Sequence, residues 1–329
     1  MNRRAFLKSA AATATLLAVG PYAQYVRAEP AVSNRALMPQ RPLGKGGATI
    51  SVVGFAGLLL KHLDQEQSNR CVAEAVERGA LYFDVAPKYG DSEAKLGPAL
   101  EPYRKKCFLA TKTACRDAAG AKADFEGSLK RLKTDRIDLL QFHHLRHVDK
   151  DVDTIFAKGG ALEFALEAKK DGRIRHIGFS AHSEEAALAA LDRFEFDSMI
   201  IAVSFVPWLN AGYAVKVLEK AKAKGVTVLG MKTLSRQRWA SREDPERVQK
   251  WPKLWYQPVS DPVEQDLAVR FTLSQPGVAS CLPPANDVLW RRAVDIGMDP
   301  RPITPEETAK LKAVAASLTP VFPRKEGEL

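Results

Sequence analysis

Cysteine is scarce in this 329-residue chain: four residues, Cys71, Cys107, Cys115 and Cys281, with no CxxC pair and no framework spacing. That excludes a scaffold built on disulfides and a cysteine-ligated zinc site. Cys107 and Cys281 lie in apolar runs and read as small buried residues, which leaves Cys115, just past Lys112, as the one thiol placed for a test of reactivity. Long apolar runs are missing too. The stretch at residues 10–19 is rich in Ala and Thr and falls short of the ~20 residues a membrane span needs. No low-complexity segment or helix-period repeat occurs. Charge is not concentrated: the formal net charge is +10, but Lys and Arg are scattered, often beside Glu and Asp. A nucleic-acid partner is therefore not expected, and the excess suits the field around an anionic cofactor. The run His143-His144-x-x-His147 has no carboxylate or Cys at ligand spacing, so no metal site is expected.

What is present begins with residues 1–28, MNRRAFLKSAAATATLLAVGPYAQYVRA. An Arg pair with Phe and Lys close behind, a short apolar run and a cleavage site at Val26-Arg27-Ala28 resemble a twin-arginine export signal. The resemblance implies a periplasmic protein with no stable membrane span once the signal is removed. Without Arg3, Arg4, Lys8 and Arg27 the formal charge drops by four, from +10 to +6. Residues 29–40 read as a linker, and residues 41–329 as one domain.

From residue 50 onward, runs rich in β-branched residues recur at spacings that each admit a helix: ISVVGFAG, ALYFDVA, CFLATK, IDLLQFH, IRHIGFS, SMIIAVSF, VTVLGMK and VASCLPP. Segments of helical period such as QSNRCVAEAVERG and AVKVLEKAKAKG lie between them, several closed by Gly. Eight such alternations predict an α/β fold in which a parallel sheet closes into a (β/α)8 TIM barrel. Active sites of that architecture sit at the C-terminal ends of the strands. Within a strand alternate residues share a face, which groups Gln141 with His143 and Phe142 with His144. Between the seventh strand and the next helix, residues 235–261 exceed an ordinary connection of about 2–6 residues. Their Trp251, Trp255 and Tyr256 either line the pocket or pack the loop on the barrel.

Three successive strand ends carry unlike polar groups: Asp84 and Tyr89 in FDVAPKYGDSEAKLGPAL, Lys112 in LATK, and His143 in IDLLQFH. With SLKRLKTDRIDLLQFH and EAKKDGRIRHIGFS, these stretches resemble the aldo/keto reductase superfamily over residues 41 to about 315. The resemblance implies hydride transfer between a nicotinamide cofactor and a carbonyl, without metal. Tyr89 would be the general acid and Lys112 would lower its pKa. Asp84 would hold the ammonium, and His143 would orient the carbonyl oxygen.

The cofactor half departs from the family pattern. Ser180 in GFSAHS matches a nicotinamide contact, but Ala181 stands where an Asn is usual, with His182 as a replacement. Phe205, preferred over Trp208, is the candidate to stack on the ring, with a structural aromatic as the equal alternative. In GMKTLS, Leu234 and Ser235 would offer backbone donors to the pyrophosphate. Pro284 occupies a position where the family has Gly and removes an N–H. Arg291 and Arg292 would supply charge for a 2′-phosphate, unless they are solvated helix-face residues. The resulting expectation is an exported oxidoreductase using NADP(H), or NAD(H), on a small carbonyl or alcohol substrate. A cofactor retained after export would call for a redox partner. Two alternatives stand beside it: a barrel with little turnover that binds a ligand or partner, and redox or isomerase chemistry on a sugar-like substrate with retained cofactor.

Overall fold

The computed structural model describes residues 37–322. The export-signal reading of residues 1–28 lies outside the described residues. Elements follow in chain order. A hairpin, β1 (Gln40–Leu43) and β2 (Ala48–Ser51), precedes β3 (Phe55–Ala56), α1 (Gln65–Glu77), β4 (Tyr82–Asp84), α2 (Ser92–Leu100), β5 (Phe108–Thr113), α3 (Ala118–Leu132) and β6 (Ile137–Leu145). Next come α4 (Thr154–Phe156), α5 (Ala161–Lys170), β7 (Ile174–Ala181), α6 (Glu184–Arg193), β8 (Ser198–Ala202), α7 (Phe205–Ala211), α8 (Val215–Lys224) and β9 (Thr227–Met231). The chain continues through β10 (Ser235–Arg238), α9 (Pro245–Lys250), β11 (Tyr256–Pro258), α10 (Pro262–Ser274), β12 (Val278–Leu282), α11 (Asp287–Gly297) and α12 (Pro305–Ala315).

Strands β3 to β9 and β12 form one parallel sheet in the order β12-β9-β8-β7-β6-β5-β4-β3. Its edges meet where Gly54 N donates to Cys281 O at 2.9 Å and Cys281 N to Val52 O at 2.9 Å, so the eight expected strands close as a (β/α)8 barrel. Helices start where a side chain accepts from the third helical N–H, as Asp64, Asp117, Ser183 and Asn286 do. The strands bury both faces, which is why their sequences are nearly continuous apolar runs. One face packs on the helices through Phe83, Leu109, Phe142 and Phe179. The other forms an inner layer of Tyr82, Ala110, Leu139, Ile200 and Leu229 that also takes Leu43 and Ile50 from the hairpin.

That hairpin begins within the segment read as a linker. Met38 is fully buried and Pro39 O accepts from Val52 N, so the fold includes residues from 38 onward rather than from 41. The long segment after β9 is a small ribbon: β10 and β11 pair antiparallel with α9 between them. No helix among the described residues is long and apolar enough to cross a membrane.

Candidate active site

The inner layer dictates which residues reach the cavity at the C-terminal strand ends. Two positions beyond Tyr82, Ala110, Leu139 and Leu229 on the same strand faces stand Asp84, Lys112, Gln141 and Met231. β6 departs from simple alternation. Its register with β7 shifts between Phe142 and Leu145, and His144 has φ +68°, so a bulge brings His143 and His144 to the same end with rings 6.0 Å apart. The bulge breaks the simple pairing of Phe142 with His144, while His143 and not His144 lines the cavity.

Tyr89 sits in the loop between β4 and α2, and the rest of its motif holds that loop. Ser92 donates its hydroxyl to Tyr89 O at 2.8 Å, and Glu93, buried, accepts from Thr111 at 2.6 Å and Arg131 at 2.7 Å. Gly97 lets α2 approach α3 closely: a Cβ there would stand 2.3 Å from Arg131 O.

Asp84, Tyr89, Lys112, His143 and Ser180 line one cavity of about 260 Å³. Asp84 receives three donors: the Lys112 ammonium, Gln141 Nε2 at 2.8 Å and Tyr82 OH at 3.1 Å. Lys112 also donates to Val85 O at 3.0 Å and stands 5.4 Å from the Tyr89 ring centroid. Burial pulls the Lys112 pKa down, but Asp84 and then Tyr89 more than offset it and leave it above the ordinary lysine range. The His143 ring meets the Tyr89 ring edge-on at 5.8 Å. Burial, aided by the Lys112 charge, pulls His143 down to about 3, so its imidazole is neutral at neutral pH.

Tyr89 behaves differently from expectation. Burial raises its pKa by more than the Lys112 charge lowers it. In this state Tyr89 is a protonated phenol, and Lys112 limits the rise instead of producing a net fall. Cys115 is likewise pushed up, by burial and then by Asp124, which argues against a reactive thiolate.

The residues proposed for the cofactor divide. Ser180 lines the cavity, and its hydroxyl accepts from His144 N at 2.7 Å. Phe205 does not reach the cavity: it is fully buried at the start of α7 in the outer core, with no ring face free to stack. Leu234 is fully buried, and its carbonyl accepts from Val259 N at 2.9 Å. Ser235 spends its N–H on Lys232 O at 2.8 Å and its hydroxyl on Ser204 at 3.1 Å, so Ser235 locks the corner after β9 instead of presenting donors. Arg292 donates to Pro262 O at 3.1 Å. Arg291 is tied to Glu74 at 2.9 Å and Asp287 at 2.7 Å, but it lines a second cavity of about 570 Å³ with Arg70, Lys250, Trp251 and Asn286. The two cavities share Lys253, Leu254 and Ala285 on their walls. Trp255 and Tyr256 line the smaller one, so the ribbon borders both.

The sequence reading omitted Tyr82 and Gln141, which hold Asp84, and Lys232, which lines the smaller cavity. Gln141 had a signal in its period of two with His143, and Lys232 one in its place at a strand end, like Lys112. No group of three or more His, Cys, Asp or Glu among the described residues is arranged to hold a metal ion.

The family pattern of the aldo/keto reductases matches residues 42–287. The chain belongs to the aldo/keto reductase family. It is accordingly an oxidoreductase by family. Among relatives, an uncharacterized oxidoreductase of Bacillus subtilis, YqkF, is 26% identical over 304 residues, covering 84% of this chain and 96% of that protein. The aldo-keto reductase YhdN of the same bacterium is 35% identical over 145 residues, 40% of this chain and 42% of that protein. Among solved structures, the holo form of aldo-keto reductase AKR11C1 from Bacillus halodurans superposes with TM-score 0.68 at 23% identity, covering 88% of this chain and all of that one (100%). An aldo/keto reductase from Klebsiella pneumoniae, solved with NADP and acetate, gives TM-score 0.63 at 18% identity over 88% of this chain and 98% of that one. These two likenesses show the shared barrel.

Proposed function

We propose that this aldo/keto reductase is an exported, nicotinamide-dependent enzyme that interconverts a small carbonyl compound and its alcohol, with Tyr89 as general acid and base. The observation that carries the reading is the meeting of Asp84, Tyr89, Lys112 and His143 on the wall of one cavity. In the reducing direction a hydride adds to the carbonyl carbon, the π pair moves onto oxygen, and the Tyr89 hydroxyl gives that oxygen its proton. The phenolate left behind is stabilised by the Lys112 ammonium, which Asp84 keeps charged and in place. His143, neutral, donates an N–H to the same oxygen as charge develops there. Tyr89 is reprotonated from solvent, and oxidation of an alcohol reverses each transfer.

A bound nicotinamide cofactor supplies the hydride as a two-electron donor. The residues present fit such a group. Ser180 lines the cavity where the carboxamide end would sit, and the adjoining larger cavity carries Lys250 together with Arg70 and Arg291, which are paired with Glu66 and with Glu74 and Asp287. NADP(H) is favoured over NAD(H) by the NADP of the Klebsiella enzyme. Export by the twin-arginine route, supported by residues 1–28, delivers a folded protein to the periplasm, where a retained cofactor needs a second substrate or a redox partner to turn over.

The test is to purify the protein from the exported fraction, identify any bound nucleotide by mass after denaturation, and follow oxidation of added NADPH with a panel of aldehydes. Tyr89→Phe is expected to keep nucleotide binding and to lose about 10²–10⁴ in turnover. Unchanged turnover in that variant removes Tyr89 from the role, and absence of nucleotide binding by the native protein overturns the reading.

A further inference from the structure

Lys232 directly follows β9 on the far side of the barrel from Lys112, and the two line the same cavity. Its residue is only 9% exposed, yet no carboxylate is among the charges that act on it. Its ammonium approaches His182 Nε2 at 3.5 Å and lies over two rings, Phe322 at 5.1 Å and Trp255 at 5.7 Å. His182, pulled to about 2 by burial and then by Lys232, is neutral and presents a nitrogen, not a counter-charge. The surrounding charge is of one sign. Arg146 acts on Lys232, and Asp151, which accepts from the backbone N–H of Arg146 at 2.7 Å, is paired with Arg116. Among the cavity's lining residues the cations are Lys112, Lys232 and Lys253, against a single carboxylate, Asp84, which Lys112 already occupies.

The backbone adds a separate observation. Lys232 has φ +62°, a left-handed conformation that costs a non-glycine residue roughly 1 kcal/mol. Ser235 N holds that turn by donating to Lys232 O at 2.8 Å. The fold thus accepts both backbone strain and a buried lysine whose polar contacts are His182 and Met231 Sδ at 3.3 Å, with no carboxylate partner.

We propose that Lys232, positioned by His182, is the subsite for an anionic group, carboxylate or phosphate, carried by the substrate, so that the enzyme selects carbonyl compounds bearing a negative charge. The inference rests on the reading of the tetrad as the hydride-transfer site. Apolar lining from Ile200, Met231, Leu282 and Trp255 suits the carbon skeleton between the carbonyl and the anion. The adjoining cavity carries Lys250 as a cation of its own beside the paired Arg70 and Arg291, and the NADPH Kd separates a substrate anion from a cofactor phosphate as the occupant of the Lys232 subsite.

The test compares kcat/KM for 4-carboxybenzaldehyde with that for its neutral methyl ester, in the native protein and in Lys232→Met and Lys232→Arg, alongside the Kd for NADPH of each. The native protein is expected to prefer the acid. Lys232→Met is expected to reduce the acid-to-ester ratio roughly 10–100-fold, the loss of one charge-assisted hydrogen bond at a buried site, with Lys232→Arg restoring part of it. A native ratio of one or below overturns the proposal even if the variants fail to fold. So does a ratio that Lys232→Met leaves unchanged, or a loss that appears in the NADPH Kd, which would assign the anion to the cofactor. If neither aldehyde is turned over by the native protein, the tetrad reading has failed. Calorimetry with 4-methylbenzoate against 4-methylbenzamide then decides the subsite alone: selective binding of the benzoate supports it, and equal or absent binding overturns it.

Discussion

Two lysines stand at strand ends of one barrel, both buried, and they meet opposite fates. Lys112 has Asp84 in contact and keeps its proton more firmly than a lysine in water. Lys232 has a histidine, two rings and a nearby arginine, and burial followed by Arg146 pulls it down to about 7. Burial is common to both, so the partner decides the charge. The Asp84 pair supplies a fixed cation beside Tyr89, as the proposed proton transfer requires. The unpaired Lys232 is a cation whose protonation a bound anion would favour.

Removing the paired lysine gives the largest expected effect on this contrast. Lys112→Met leaves Asp84 buried with two neutral donors, Gln141 and Tyr82. Stability is expected to fall by about 3–5 kcal/mol, read by urea denaturation, and turnover by about 10²–10⁴. Lys232→Met should do the reverse to stability. It removes an unpaired buried cation, so a gain of about 1–2 kcal/mol is expected near about pH 6. A loss of stability in both variants would show that the two lysines do not differ in the way their partners indicate.

Titration sharpens the comparison further. The Lys232 pKa is depressed in the folded protein, so between about 7 and the unfolded lysine value the unfolded chain binds more protons and this residue makes stability rise with pH. The Lys112 pKa is raised, so its contribution is fully present below the unfolded value and is lost only as pH climbs through the folded one. The difference between native and Lys232→Met unfolding free energies, followed across that range, is expected to shrink as pH rises.

The same titration predicts that selectivity for the carboxylated aldehyde falls as pH passes about 7. The histidines facing Lys232 do not mask it: His182 is neutral in this range, and burial keeps the His144 pKa below the ordinary histidine range. The smallest expected effect is a null one. His143, held at about 3, should contribute no inflection to kcat/KM between about pH 5 and about pH 9. An inflection lost in His143→Asn would overturn its assignment as a neutral donor.

Much of the barrel and half of the site could be read along the chain. Asp84, Lys112 and His143 each close an apolar run, and a strand delivers its last inward residue to the same end of a parallel barrel whatever the helices do. Tyr89 was legible because its loop is short and Ser92 and Glu93 anchor it locally. Phe205 and Ser235 do not face the cavity as expected, and both lie where the chain leaves regular structure. Phe205 is turned into the core by α7, and Ser235 is consumed by the corner after β9, neither of which periodicity describes. The bulge that gathers His143 and His144 was hidden for the same reason, since one left-handed residue breaks the rule of two.

Residue order by itself determined the eight strands, the inward face of each and hence the polar groups at their ends, because both periods are local properties of the backbone. Only the tertiary structure decided which of those groups are charged. Lys112 and Lys232 are the same residue near the C-terminal ends of opposite strands, and what separates their charge is an aspartate 28 positions from Lys112 in the chain that reaches one and not the other. Electrostatics in a buried cavity depends on which groups stand within a few ångströms, and that is a matter of packing, not of sequence distance.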